Sequence, residues 1–337
     1  MLEHLEINPE SKIPKYKQLV DTIVDYITSG NAQINDRLPS VKNISDKLGL
    51  SRETVFKSLN ILSEKGIIAS SNRKGYFITK VNTSIQYRVF FMLDKMTSFK
   101  ERIYDGLRFN LDKNSEVDIF FHHGNKKVFK SLIVENLNSY THFVISTFFN
   151  EGVSDVLNLI PEGKLILIDQ KEQGVLMQHS QIYQNFENDI FESLSKVSDK
   201  IKKYDEICLV APSTAPHRTS VLQGFEKYCA RFGVKNSTID HNEIDEIKKG
   251  NLYILISEKN DDLVKIIKFC RKNSCNLGKE IGVISYNETQ LKEVLEGGIT
   301  VISTDFFRMG QRAAEVINNN ETVTEVNPSE IIIRDSI

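Results

Sequence analysis

The chain has 337 residues, of which 26% are charged and 40% hydrophobic, with a formal net charge of −2. That length points to two or three packed units rather than one, and no run approaches the roughly 20 apolar residues of a membrane helix. The start, Met1-Leu2-Glu3-His4-Leu5-Glu6, lacks the basic-then-apolar order of a secretion signal, so a cytoplasmic location is expected.

From Tyr16 to Ile27, apolar residues recur at 16, 19, 20, 23, 24 and 27, the stripe of an amphipathic helix with Pro14 before it and Gly30 after it. Ser40 then precedes a second helical stretch with Val41, Ile44 and Leu48 on one face, stopped by Gly49. Ser51 is placed to cap a third, carrying Val55, Leu59 and Leu62 and closed by Gly66. "IIASSNRKGYFIT" reads as a β-hairpin turning around Gly75.

Two helices joined at Gly49-Leu50 form a helix-turn-helix, whose second helix places its N-terminal residues at base edges in the DNA major groove. Charge supports this. From Arg37 to Lys80 nine Lys/Arg stand against three acids, a net of +6, which leaves −8 for the rest of the chain. A basic block on an acidic body suits a polyanion partner for that block. The expected DNA contacts are Arg37, Ser40, Lys42, Ser51, Arg52, Thr54, Lys57, Arg73, Lys74 and Gly75. An arginine fork can bridge guanine O6 and N7, while hydroxyls and backbone N–H groups hold phosphates. The bland reading is that Ser51 only caps and Arg52 only solvates.

"IPKYKQLVDTIVDYITSG", "RLPSVKNISDKLGLSRETVFKSL" and "EKGIIASSNRKGYFI" resemble the winged-helix domain of GntR-family regulators. The resemblance implies DNA contacts at Lys42, Arg52, Thr54 and the wing glycine. Two departures stand out: Phe56 occupies a position where the family often has arginine, and the first wing glycine is replaced within "SNRKG".

After a connector at 81–86, short apolar strands alternate with amphipathic helices. "YRVFFML", "VDIFF", "HFVIS" and "KLILID" make one half, and "EICLVA", "LYILI" and "EIGVIS" the other. Strands followed by helices signal parallel sheets covered on both faces, here in two lobes spanning 87–337. The expected fold is therefore α/β: a winged helix-turn-helix at 1–80 followed by a two-lobed α/β body. Ligand groups in such sheets come from the C-terminal ends of strands. The candidates there are Phe99, Arg102, His122, His123, Phe149, Asn150, Asp169, His217, Arg218, Asn260, Asn287 and Asp305, each of which also has a plain reading as a cap or loop residue.

"LILID", "LQGFEKYCARFGV", "EIGVISYNE" and "GGITVISTDFFRMGQRAAEVI" resemble the periplasmic-binding-protein-like effector domain of LacI-type regulators. The resemblance implies a ligand role for Asn287 and Asn260. It also puts Val221 where that family has a ligand arginine, with Arg218 one turn earlier. The combination is similar to the arabinose-repressor type of regulator. It implies a repressor of carbohydrate-use genes released by a monosaccharide, acting as a homodimer on a near-palindromic operator.

Competing readings are an enzyme, a constitutive DNA-binding dimer whose body binds no small molecule, and a sensor of a non-sugar or acidic, phosphorylated ligand. The chain has no P-loop, no G-x-S-x-G and no G-x-G-x-x-G after a strand. His122 and His123, as neighbours on a strand, point to opposite faces and suit no shared metal. No cofactor or metal is expected. The four cysteines lack zinc-ligand spacing and read as reduced thiols packed as small apolar groups.

Overall fold

Three helices and a hairpin follow one another in the first 80 residues of the computed structural model, which describes residues 1–8, 11, 13–71, 74–80, 87–213, 215–240, 244, 246–256 and 261–337. The connector at 81–86, Arg73 and Asn260 lie outside the described residues. The chain divides into two compact units, Met1–Gln86 with Asp112–Asn114, and Tyr87–Leu111 with Ser115–Ile337.

In the first unit, α1 (Lys15–Tyr26), α2 (Val41–Leu48) and α3 (Arg52–Glu64) bury Leu19, Ile23, Ile44, Val55, Leu59 and Leu62 in one core. Each helix is cut to length by its caps. Ser40 Oγ accepts the Asn43 N–H at 3.1 Å, and Gly49 ends α2 in the left-handed region at φ +62°. The hairpin, β1 (Ile68–Ser71) and β2 (Gly75–Ile78), pairs Ile68 with Ile78 and Ser71 with Gly75. Arg37 bridges Phe77 and so adds a third edge to that wing.

The second unit opens with β3 (Arg88–Leu93), α4 (Ser98–Asn110), β4 (Glu116–Phe121), α5 (Lys126–Asn136), β5 (His142–Ile145), α6 (Ser154–Leu157), β6 (Leu165–Asp169) and β7 (Ser180–Tyr183). It continues with α7 (Phe186–Lys196), α8 (Ser198–Ile201), β8 (Glu206–Val210), α9 (Arg218–Phe232), β9 (Asn236–Ile239), β10 (Asn251–Leu255), α10 (Asp261–Lys272), β11 (Gly282–Tyr286), α11 (Gln290–Val294) and β12 (Thr300–Thr304). Three elements close it: α12 (Phe306–Asn319), β13 (Thr324–Val326) and β14 (Ser329–Ile332). Two six-stranded sheets result, in the orders β13-β7-β6-β5-β3-β4 and β14-β12-β11-β10-β8-β9. Every pairing is parallel except β14 against β12.

The sheets thus trade strands at three crossovers: after β7, after β12 and after β13. Asn327, 2% exposed, ties all three. Its backbone N–H donates to Tyr183 O at 2.8 Å, and its Nδ2 donates to Thr304 Oγ1 at 2.7 Å and to Asp305 O at 2.9 Å. Helix α12 crosses α4 so closely that a Cβ on Gly310 would stand 1.9 Å from Ile103 O, and one on Gly106 2.0 Å from Phe307 O. Only glycine fits at that crossing. The structure adds α7, α8, β7, β9, β13 and β14 to the elements read from the sequence, and "GVSDVLNLI" forms a single turn, Ser154–Leu157, because Val153, Val156 and Ile160 fold into the lobe core over too short a segment.

Candidate functional site

Two surfaces gather the candidate residues. On the first unit, Arg52, Glu53, Phe56, Lys57 and Asn60 form the exposed side of α3, with Val55, Ser58, Leu59 and Leu62 beneath. Ser51 Oγ accepts the Thr54 N–H at 3.1 Å and shares a 2.8 Å hydrogen bond with the Thr54 hydroxyl. Both hydroxyls therefore fix the helix entrance as well as facing outward. Lys57 lays its ammonium over the Tyr16 ring at 3.9 Å, which orients it against α1. Lys42 is exposed at the start of α2. On the wing, Gly75 adopts φ +96°, and the Arg37 guanidinium lies where a Cβ would sit, 3.3 Å from its Nε. Lys74 is exposed beside it. Phe56, 47% exposed, is a large ring on the outer face of α3, and such a ring can meet a thymine methyl group.

On the second unit, strand ends from both sheets meet at a narrow cleft of about 20 Å³ lined by Phe99, Phe148, Asp169, Gln184, Phe186, His217, Ile256, Tyr286 and Asn287. Asp169 ends β6, and Asn287 follows β11. Phe148, Asp169 and Asn287 have φ of +47°, +76° and +64°. Left-handed backbone costs about 1–3 kcal/mol at a non-glycine residue and collects at functional sites. Asp169 accepts from Gln184 Nε2 at 2.5 Å. The His217 ring stacks on Phe186 at 4.7 Å between centroids, tilted by 21°.

Buried polar groups support the cleft from behind. Lys292, 3% exposed, donates to the carbonyls of Tyr286 at 2.7 Å and Asn287 at 3.0 Å, which holds the turn that presents Asn287. Burial pulls its ammonium down to about 8, against the pull of Glu288. Burial pushes the Tyr286 hydroxyl well above its usual range, with Asp189 adding to the effect. Asp189 itself is pushed up to about 7 by burial. Among the described residues neither Tyr286 Oη nor Asp189 Oδ2 has a hydrogen-bond partner. Orphaned buried polar atoms at a cleft are places a ligand hydroxyl can satisfy. Lys100, fully buried beside Phe99, is paired with Asp94 and lies 4.6 Å from the Phe148 ring centre.

The cleft unites Phe99, Asp169, His217 and Asn287 among the expected ligand residues. Others are placed elsewhere. His122 is fully buried: its Nδ1 accepts the Gly124 N–H at 3.1 Å, its Nε2 meets Ser146 O at 3.3 Å, and its ring lies 4.6 Å from Phe149. It is a core group of the lobe, and burial pulls its pKa below the usual histidine value. Phe149 is packed with it, while His123 and Asn150 are exposed away from the cleft lining. Asp305 caps α12 through Arg308 N–H at 3.0 Å, so its carboxylate is engaged by the helix. Arg218 turns its Nε to Ala211 O at 3.4 Å. Arg102 and Asp305 line a separate open depression of about 410 Å³ beside Arg308 and Glu330. That depression, and another of about 600 Å³ along α12, exceed the cleft in size. They are open and rimmed by charged side chains, whereas the cleft has buried rings with orphaned polar atoms behind them, which is the make-up of a ligand site. Phe148, Gln184, Phe186, Tyr286 and Asp189 carried no sequence signal, since only the meeting of two strand ends gives them a shared role.

Residues 3–78 match the family model described as bacterial regulatory proteins, gntR family. The chain carries a gntR-type helix-turn-helix domain at its N-terminus. The chain is 32% identical over 107 residues to the mannosyl-D-glycerate transport/metabolism system repressor of Escherichia coli (strain K12), across 32% of this chain and 41% of that protein. It is 31% identical over 71 residues to the arabinose metabolism transcriptional repressor of Geobacillus stearothermophilus, across 21% of this chain and 20% of that protein. The chain thus spans less than half the length of these curated relatives. In fold, it is similar to the periplasmic binding ribose operon repressor protein from Lactobacillus acidophilus, with TM-score 0.60 and 16% identity over 74% of this chain and 97% of that one. The likeness shows a two-lobed α/β fold for the unit that follows the gntR-type domain in sequence.

Proposed function

We propose that the chain is a transcription regulator in which the gntR-type domain reads operator DNA and the α/β unit senses a monosaccharide in its cleft. The observation that carries this is the cleft itself: aromatic rings, Asp169, Gln184 and Asn287, with unpartnered Tyr286 Oη and Asp189 Oδ2 behind them. Aromatic faces suit sugar C–H patches, and paired acceptors and donors suit hydroxyls. Among the described residues, none of the nine that line it is a lysine or an arginine, and the Lys100 ammonium nearby is taken up by Asp94. That balance favours a neutral sugar over a phosphorylated one, which Asp169 would repel. Curated relatives named as repressors of mannosylglycerate and arabinose metabolism support the same class of role.

In the finer reading, the regulator is a cytoplasmic homodimer that represses carbohydrate-use genes, and the sugar releases it from a near-palindromic operator. Arg52 and Phe56 read bases. Lys42, Lys57, Lys74 and Arg37 hold phosphates, with Ser40, Ser51, Thr54, Gly75 and Arg73 completing the DNA surface. Coupling is reciprocal: a sugar that weakens operator binding is itself bound less tightly on the operator. Thermal shift against a panel of neutral monosaccharides, sugar acids and sugar phosphates tests it. A ligand at one hundred times its Kd stabilises by about 2.7 kcal/mol. The hit must then change fluorescence anisotropy of labelled operator DNA. If no sugar stabilises the chain while a non-sugar metabolite does, the ligand class is wrong.

A further inference from the structure

Outside the cleft lining, two thiols share one depression. Cys270 closes the last turns of α10 and Cys275 lies in the turn that leads to β11, and both line a pocket of about 270 Å³ with Ile267, Arg271, Ser274 and Glu296. The Cys275 N–H donates to the Cys270 carbonyl at 2.9 Å, folding the five-residue step back on itself so that the two residues meet at the helix end. Ser274, at φ +51°, makes the reversal. Cys270 is 5% exposed and Cys275 9%, and the depression they line is the side from which a small oxidant would approach the pair. The Cys275 thiol also donates to Asn273 O at 3.6 Å. A cation completes the group: Lys249 Nζ, held by Glu280 at 3.1 Å, bonds the Cys275 sulfur. A neighbouring ammonium favours the thiolate, which is the nucleophilic form. The same ammonium acts on Cys270, but burial outweighs it and pushes that thiol up to about 11, with Cys275 adding to the shift.

We propose that Cys270 and Cys275 form a peroxide-oxidised thiol pair, an oxidation site separate from the DNA and sugar surfaces, with Cys275 attacking first and Cys270 resolving. The Cys275 thiolate attacks one oxygen of hydrogen peroxide, the O–O bond breaks, and sulfenic acid and hydroxide form. The Cys270 sulfur then attacks the sulfenic sulfur, the S–O bond breaks, and oxygen leaves as water with the Cys270 proton. Two thiols and one peroxide become one disulfide and two waters, with two electrons passing from sulfur to oxygen. Cys208, in β8, and Cys229, in α9, do not line this depression.

The test treats the full chain with hydrogen peroxide, blocks remaining thiols with iodoacetamide and digests with trypsin. Arg271 and Lys272 lie between the two cysteines, so a bridge leaves the peptides 269–271 and 273–279 joined. The expected result is that joined pair, free thiols falling from the four of the native chain to two, and recovery with dithiothreitol. In Cys270→Ser, dimedone traps a sulfenic acid at Cys275 and no bridge forms. Lys249→Met slows bridge formation by removing the ammonium beside the attacking sulfur, while Cys229→Ser leaves it unchanged. Survival of all four thiols in wild type, a bridge that includes Cys208, or an unchanged rate in Lys249→Met overturns the proposal.

Discussion

Replacing Asn327 with leucine tests whether the three crossovers work as one clasp. Asn327 is buried at 2% exposure, and its Nδ2 makes hydrogen bonds of 2.7 and 2.9 Å to Thr304 Oγ1 and Asp305 O. Leucine keeps much of the volume and removes both donors. The Thr304 hydroxyl retains its bond to Pro328 O at 2.8 Å, and the Asp305 carbonyl keeps the Met309 N–H at 3.0 Å. Two lost bonds at about 1 kcal/mol each, with a partial offset from the added apolar group, give a loss of roughly 1–2 kcal/mol. The bond from Asn327 N–H to Tyr183 O is backbone and survives. Urea unfolding of the full chain, followed by far-ultraviolet dichroism because there is no Trp to serve as a fluorescent reporter, should show the midpoint of the α/β unit falling with an unchanged m value. A loss under about 0.5 kcal/mol, the size of a surface substitution, would refute the clasp.

Four further outcomes are expected. Arg52→Ala lowers specific operator affinity by about 1–3 kcal/mol and relaxes preference at one base position per half-site, read by competition binding. Lys74→Ala instead weakens all DNA sequences alike and flattens the salt dependence of binding. Asn287→Ala costs about 1–3 kcal/mol of sugar affinity in calorimetry and leaves sugar-free operator binding unchanged; equal sugar affinity would move the site out of the cleft. Lys292 titrates near 8 in the folded chain against the ordinary lysine value of 10.5, so the unfolded chain holds more protons between those values and wild-type stability rises with pH across that window. Relative to Lys292→Met the rise should approach about 3 kcal/mol, and a flat difference between pH 8 and 10.5 would show that the lysine is solvated.

Local chemistry carried the reading of the first unit. Ser40, Gly49, Ser51 and Gly66 act within one turn of where they stand, so caps and stops are visible in sequence, and the helices they bound appear as Val41–Leu48 and Arg52–Glu64. The apolar strands of the α/β unit were legible for a similar reason: a strand covered on both faces must be apolar throughout, as in "LILID". The fully buried His122 shows the limit. A histidine after a strand looks the same in sequence whether its ring turns toward a cleft or, as here, into Phe129 and Phe149.

What the sequence alone determined is therefore most of the elements, the helix-turn-helix among them, because those depend on caps, periodicity and charge within a few residues. What only the tertiary structure decided is who shares the cleft. Asp305 looked like a ligand group and became a helix cap, while Phe148, Phe186 and Tyr286 became the cleft walls. The strand β7, four residues long and half polar, and the late β13 and β14 exist because distant strands pair with them. The clasp of Asn327 joins residues from positions 183, 304 and 327. Contacts so far apart along the chain leave no local pattern, since each residue satisfies its own neighbourhood equally well without them.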